Sequence, residues 1–165
     1  MLRLRPYKKC DAARIVTWIK DEWSMHQWCG RGFSAFPLTP DDLNARYEGW
    51  AFDDSVYPMT AYDETGPVGH LYLAFKDEAK TVLRFCCVIV DGEQRGKGYG
   101  TAMLRLALRY AFDFLGAERV TLGVYENNPS ACRFYRALGF TDTEERTHSE
   151  IMGTDWVGLE MEMKR

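Results

Sequence analysis

The chain has 165 residues, enough for one domain with a substantial hydrophobic core and too few to argue for two. A content of 46% hydrophobic and 27% charged residues is ordinary for a globular protein, and the formal net charge of −3 lacks the general basic field of a nucleic-acid binder. No stretch approaches the roughly 20 apolar residues of a membrane span, and the N-terminal MLRLRPYKKC lacks the apolar run of a signal peptide, so neither nucleic acid nor membrane is expected as a partner.

In chain order, Leu2, Leu4 and Pro6 alternate with Arg3 and Arg5, which predicts a short edge strand. Asp11 is placed to cap a helix carrying Ala12, Ile15, Val16 and Ile19 on one side. Residues 21–37 hold Trp23, Met25, His26, Trp28, Phe33 and Phe36 but show little period. Thr39-Pro40-Asp41-Asp42 opens a second helix, with a cap followed by proline and acids in the first turn. Residues 57–62 and 68–75, joined by Asp63-Glu64-Thr65-Gly66-Pro67, read as a hairpin. The run TVLRFCCVIV that follows KDEAK predicts a central strand ending at Val90. A helix over residues 98–115 aligns Met103, Ala107, Tyr110, Ala111 and Phe114 in one stripe, flanked by Leu104, Leu108 and Leu115, and Gly116 ends it. Residues 119–125 form a strand, 129–138 a short helix stopped by Gly139, and 156–163 a final alternating strand. With no repeat, low-complexity tract or linker, residues 1–165 read as one mixed α/β domain.

The cysteines, Cys10, Cys29, Cys86, Cys87 and Cys132, are odd in number and none are spaced Cys-x-x-Cys. Neither a disulfide framework nor a metal site is expected, and buried thiols in a reducing cytoplasm fit better.

The chemistry concentrates in DGEQRGKGYGTAMLRLALRYAF, residues 91–112. Gly96 and Gly98 begin a dinucleotide fingerprint, but Thr101 stands where the third glycine belongs. The interval from Gly92 to Gly96 is one residue too short for a Walker loop, so a nucleotide switch of that kind is not expected. What remains is Arg95-Gly96-Lys97-Gly98-Tyr99-Gly100 between a buried strand and a helix. Alternating glycines let backbone N–H groups converge. The helix N-terminus adds unpaired donors and partial positive charge. With Arg95 and Lys97, the turn makes an anion site suited to phosphates. The plain alternative is a connecting loop with solvated basic residues.

Arg95-x-x-Gly98-x-Gly100 resembles the pyrophosphate loop of the GNAT acetyltransferase superfamily, and Val88-Ile89-Val90 is similar to the strand before it. A second block agrees: Asn128, Ala131, Tyr135 and then Gly139-Phe140 keep the family's spacing. The likeness covers residues 66–142 as a coenzyme A-binding core, and residues 1–56 match only in outline as a variable acceptor-side part. It implies a central, twisted, mostly antiparallel sheet of about six to seven strands flanked by about four helices. It also implies acetyl-CoA as cosubstrate without a metal, and direct transfer to a primary amine. Val88, Ile89 and Val90 would border the pantetheine arm. Arg95, Gly96, Lys97, Gly98, Tyr99, Gly100 and Thr101 would surround the pyrophosphate, with Asn128 and Ala131 nearby.

Tyr135 is the general-acid candidate, since a phenol with a pKa of about 10 can protonate a departing thiolate. Ala131, Phe134, Tyr135 and Leu138 also form a helical stripe, so a plain core tyrosine is the alternative. The predicted strand 81–90 has no carboxylate, which leaves Glu126 or His70 as members of a water-relayed proton path and no single base assigned. Cys86 and Cys87 read as packing residues. The aromatics of residues 23–36, with Trp50 and Tyr57, would wall an acceptor cleft, and Asp21, Glu22, Asp41 and Asp42 would attract a cationic amine. The bland alternative is aromatic packing with helix caps. The acceptor would be a protein N-terminus, a polyamine or another small amine. A non-catalytic coenzyme A sensor or assembly module is the competing function, and an exposed aromatic face would support a homodimer.

Overall fold

The computed structural model describes residues 1–165. Seven strands form one sheet: β1 (Arg3–Pro6), β2 (Val56–Asp63), β3 (Gly66–Phe75), β4 (Val82–Val90), β5 (Arg119–Tyr125), β6 (Thr141–Ile151) and β7 (Thr154–Lys164). Their spatial order is β1-β2-β3-β4-β5-β7-β6. Every neighbouring pair is antiparallel except β4 and β5. The helices are α1 (Ala12–Ile15), α2 (Glu22–Cys29), α3 (Pro40–Glu48), α4 (Tyr99–Arg109) and α5 (Pro129–Leu138). The fold expected from the sequence is therefore present. No helix is long and apolar enough to cross a membrane.

Two apolar layers sandwich the sheet. The larger packs Met103, Leu104, Ala107 and Cys132 of α4 and α5 against Leu71, Leu73, Leu83, Phe85 and Leu122. The smaller packs Ala12, Ile15, Met25, Leu43 and Tyr47 of α1, α2 and α3 with Ile89. Local signals explain where α2 and α3 begin. The Asp21 carboxylate accepts from the Ser24 N–H at 2.7 Å, and Thr39 Oγ1 accepts from the Asp42 N–H at 3.2 Å while the Asp42 carboxylate accepts from the Thr39 N–H at 2.8 Å.

Three expectations change. Asp11 stands at the N-cap position of α1, but its side chain makes no capping bond there. Its side chain is 2% exposed and accepts from both guanidinium nitrogens of Arg5 (2.7 and 2.8 Å), from the Lys8 N–H (2.9 Å) and from the Thr60 hydroxyl (2.8 Å). Burial opposes its charge, but these bonds together hold the carboxyl below its ordinary range. Phe114 leaves the α4 stripe and is 71% exposed, because residues 110–114 wind as a π-helical turn that shifts the helical phase. Finally, β6 was absent from the predicted elements. Its sequence, TDTEERTHSEI, has no apolar alternation because it lies at the sheet's edge with most residues exposed.

Candidate active site

β4 and β5 begin as parallel neighbours, with residues 82–85 beside 119–122. β4 then runs on to Val90 and β5 to Tyr125 without further pairing between them. The divergence coincides with a bulge. Pairing of β3 with β4 jumps between His70–Ile89 and Tyr72–Cys86, and Cys87 sits at φ 51°. An extra residue bends the strand, and a positive φ outside glycine is strain that surrounding structure must hold in place. Beyond Phe85, the β5-facing edge of β4 has therefore lost its strand partner and opens on a cleft of about 780 Å³. Trp28 of α2 reaches across, and its Nε1 donates to the Cys87 carbonyl at 2.7 Å.

One end of the cleft is the glycine turn. Arg95, Gly96, Gly98, Tyr99, Gly100 and Thr101 line it, as do Val88, Ile89 and Val90 further in. The backbone N–H groups of residues 96–101 have no backbone acceptor. Gly96 and Gly98 take φ values of 75° and 81°, and a Cβ at either would meet only open space. Conformation rather than crowding thus demands glycine there. Together the free amides and the start of α4 make a row of donors for an anion. Lys97 departs from expectation: it does not line the cleft, and its Nζ donates to Gln94 Oε1 at 3.2 Å. The Tyr99 hydroxyl donates to Asp63 at 2.6 Å, which ties the turn to the β2–β3 hairpin.

Asn128, Ala131 and Tyr135 also line the cleft. Asn128 Oδ1 accepts from the Ala131 N–H at 3.3 Å, so it caps α5. Tyr135 is 8% exposed and packs edge-on against Phe140, centroids 6.1 Å apart. Burial, then the nearby Cys132 and Cys87 thiols, push its phenol upward, so it stays protonated near neutrality.

The other end is built from side chains. α2 supplies Trp28 and Cys29, β3 supplies Tyr72, and β4 supplies Arg84, Cys86 and Cys87. Glu160 of β7 completes it, accepting from Arg84 Nη1 and Nη2 at 2.6 and 2.9 Å. The pair passes over β5 at Gly123, where a Cβ would lie 2.5 Å from Arg84 Nη2. Sequence alone does not single out Arg84 or Glu160, because each reads as the polar face of its strand. The Gly123–Glu160 register is the feature that reveals their meeting.

Several expected residues lie elsewhere. Trp23 packs at a tilt against Trp156, ring centres 4.5 Å apart, and Trp23, Phe36, Trp50 and Tyr57 do not line the cleft. Nor do Asp21, Glu22, Asp41 and Asp42, and the carboxylates of Asp21 and Asp42 cap helices. Glu126 faces a separate small groove with Cys132 and Arg136. His70 is fully buried with its Nε2 2.5 Å from the Tyr47 hydroxyl, and burial pulls its pKa down to about 4. Neither Glu126 nor His70 lines the cleft, so the expected relay finds no support. No group of three or more His, Cys, Asp or Glu side chains is placed to hold a metal ion.

The sequence matches the Acetyltransferase (GNAT) family profile over residues 14–140. The chain belongs to the GNAT family. Among GNAT proteins, it is 30% identical over 95 residues to a spermine/spermidine N(1)-acetyltransferase of Bacillus subtilis, a stretch covering 57% of this chain and 55% of the relative. It is 33% identical over 55 residues to a spermidine N(1)-acetyltransferase of Vibrio cholerae, covering 33% of this chain and 32% of the relative. The matched stretch thus spans about half the length of the first of these relatives or less. The fold is similar to the crystal structure of a Vibrio cholerae spermidine N-acetyltransferase in complex with CoA and spermine. The TM-score is 0.82 at 22% identity, covering 99% of this chain and 95% of that one.

Proposed function

We propose that this GNAT protein is an acetyl-CoA-dependent N-acetyltransferase acting on a primary amine. The observation that carries the reading is one continuous cleft with unpaired amides of residues 96–101 at one end and Tyr135 on its wall. Those amides and Arg95 suit the pyrophosphate of acetyl-CoA, and the unpaired edge of β4 suits the pantetheine arm. Lys97 drops out of the set, while Val88, Ile89, Val90, Gly96, Gly98, Tyr99, Gly100, Thr101, Asn128 and Ala131 stay in it. The names of the relatives support an amine acceptor, polyamines among them.

In this reaction the neutral amine nitrogen attacks the thioester carbonyl carbon, and a C–N bond forms. An amine with a pKa of about 10 is mostly protonated at neutrality, so it must shed a proton before attack. The tetrahedral oxyanion needs a donor, for which backbone amides on the unpaired edge of β4 are the candidates. As the C–S bond breaks, the Tyr135 hydroxyl gives its proton to the departing thiolate. The second amine proton leaves to solvent, from which the phenolate is reprotonated. The products are the N-acetyl amine and coenzyme A.

The test is a mass-spectrometric acceptor screen with acetyl-CoA, covering peptide N-termini, lysine, polyamines and aminoglycosides. The expected result is a product heavier than at least one acceptor by the mass of one acetyl group in place of one hydrogen. Tight acetyl-CoA binding with neither transfer nor hydrolysis would instead identify a coenzyme A-binding module without turnover.

A further inference from the structure

Acetyl transfer leaves the attacking amine's proton without a receiver on the protein. One carboxylate and no histidine line the cleft, and the carboxylate is Glu160. Burial pushes the thiols of Cys29, Cys86 and Cys87 and the phenols of Tyr72 and Tyr135 upward, so these wall groups hold their protons near neutrality.

Three strands set the position of Glu160. Phe85–Leu122 is the last pair joining β4 to β5, and Gly123 is the first residue of β5 past the fork. Gly123 is exposed and lies opposite Glu160 of β7. The Glu160 carboxylate leans over this bare stretch of β5, with Oε1 3.2 Å from where a Cβ on Gly123 would stand. Arg84 of β4 holds it there from the other side, donating to its two oxygens at 2.6 and 2.9 Å. Such a pair occupies one acceptor position on each carboxylate oxygen and leaves another free. The side chain keeps 14% of its surface open.

Strand alternation puts this carboxylate and Tyr135 on opposite faces of the fork. Leu122 and Met161 are paired neighbours buried in the larger apolar layer, as is Tyr135. Gly123 and Glu160, the next pair, therefore face the other way, toward the layer against which Trp28 and Tyr72 pack. A thioester in the fork would have a proton donor for its sulfur on one face and a proton acceptor for the incoming amine on the other.

We propose that Glu160 is the catalytic residue that takes the amine's proton, and that Arg84 is its positioning residue. The proposal rests on the N-acetyltransferase reading and adds a proton acceptor to it. A carboxylate is too weak a base to strip a free alkylammonium of pKa about 10, so the first proton leaves to solvent. Glu160 acts once the C–N bond is forming and the nitrogen carries positive charge. The N–H proton passes to its carboxylate, and Tyr135 protonates the departing sulfur. The carboxylic acid then loses its proton to solvent, and the phenolate regains one.

The test is the single-turnover rate of acetyl transfer to the best acceptor of the screen, which reads chemistry apart from product release. Glu160→Gln, of nearly the same size, should lower the rate about 100-fold with the acetyl-CoA Kd within about twofold of wild type. Glu160→Ala leaves the Arg84 fork open to a carboxylate from solution, so formate should restore the rate by about tenfold or more and chloride should not. Arg84→Met keeps the carboxylate but frees it, and should lose about tenfold in rate with the acetyl-CoA Kd unchanged and no response to formate. Arg84→Lys should recover part of that loss. A wild-type rate in Glu160→Gln, or formate that raises the Tm of Glu160→Ala without raising its rate, overturns the proposal and leaves the transferase reading intact. If Glu160→Ala does not fold, Glu160→Gln decides alone. If the wild-type protein acetylates no acceptor, the transferase reading falls and takes this proposal with it.

Discussion

The two ends of the cleft are made by opposite means. The phosphate end is backbone: free amides of residues 96–101, in a turn whose glycines hold φ values of 75° and 81°. The acceptor end is side chain, assembled from α2, β3, β4 and β7, with Trp28, Tyr72, Arg84 and Glu160 meeting only in the folded sheet. A backbone site is written in one contiguous segment and tolerates few changes there, because any L-residue at Gly96 or Gly98 strains the turn. A side-chain site can exchange its charges one residue at a time while the sheet beneath stays the same. That difference lets one fold keep a single acyl donor and alter its acceptor.

The largest expected effect concerns the layer under the acceptor end, where His70 is fully buried against Tyr47. Its folded pKa is about 4 against 6.5 when unfolded, so between these values the unfolded chain binds the extra proton. The sign follows: stability is complete above pH 6.5, falls as pH drops toward 4, and levels off below. The shift corresponds to about 3 kcal/mol. Urea unfolding at pH 7, 5.5 and 4 should trace this loss, and His70→Gln should flatten it within that window. Asp11 titrates lower, because its folded carboxyl lies below the ordinary 3.8, and its contribution disappears only as pH falls further. An unchanged slope in His70→Gln would show that another group controls acid loss. Next in size is Tyr135→Phe, which keeps the packing against Phe140 and removes the proton donor. A loss in kcat of about 100-fold, with little change in the KM for acetyl-CoA, is expected if chemistry limits turnover. Wild-type kcat would return Tyr135 to the core.

The sequence revealed the two ends unequally, for the same physical reason. Residues 119–125 and 129–138 coincide with β5 and α5, because strand alternation and an Asn-Pro start with a glycine stop are local signals. The glycine turn was legible because backbone conformation is dictated by the residues within it. Asp11 reads as a capping side chain because its partner Thr60 lies 49 residues away on another strand, and periodicity does not show that they meet. Asp21 and Asp42 suggested an acceptor site, yet their helices' own amides consume them. The Arg84–Glu160 pair needs the order β4-β5-β7, which strand periodicity does not encode.

Two substitutions in one turn measure how far its anion site is backbone. Gly98→Asp forces a side chain onto φ 81° and sets a negative charge beside the free amides. Calorimetry should show acetyl-CoA affinity reduced about tenfold or more, since left-handed geometry costs a non-glycine residue about 1–2 kcal/mol before the charge acts. Undiminished affinity would place the pyrophosphate somewhere else.

Lys97→Ala should give the smallest effect, although lysine is the more familiar phosphate ligand. Lys97 lies outside the cleft's lining, and its ammonium is hydrogen-bonded to Gln94 at the surface. What it can offer the pyrophosphate is a solvent-screened attraction that weakens further with salt. A change in acetyl-CoA affinity of about twofold or less at 0.15 M salt is therefore expected, shrinking as salt rises. A tenfold loss that persists in salt would mean that Lys97 swings onto the phosphates when acetyl-CoA binds. The two ends would then both be side-chain sites, and the contrast between them would no longer hold.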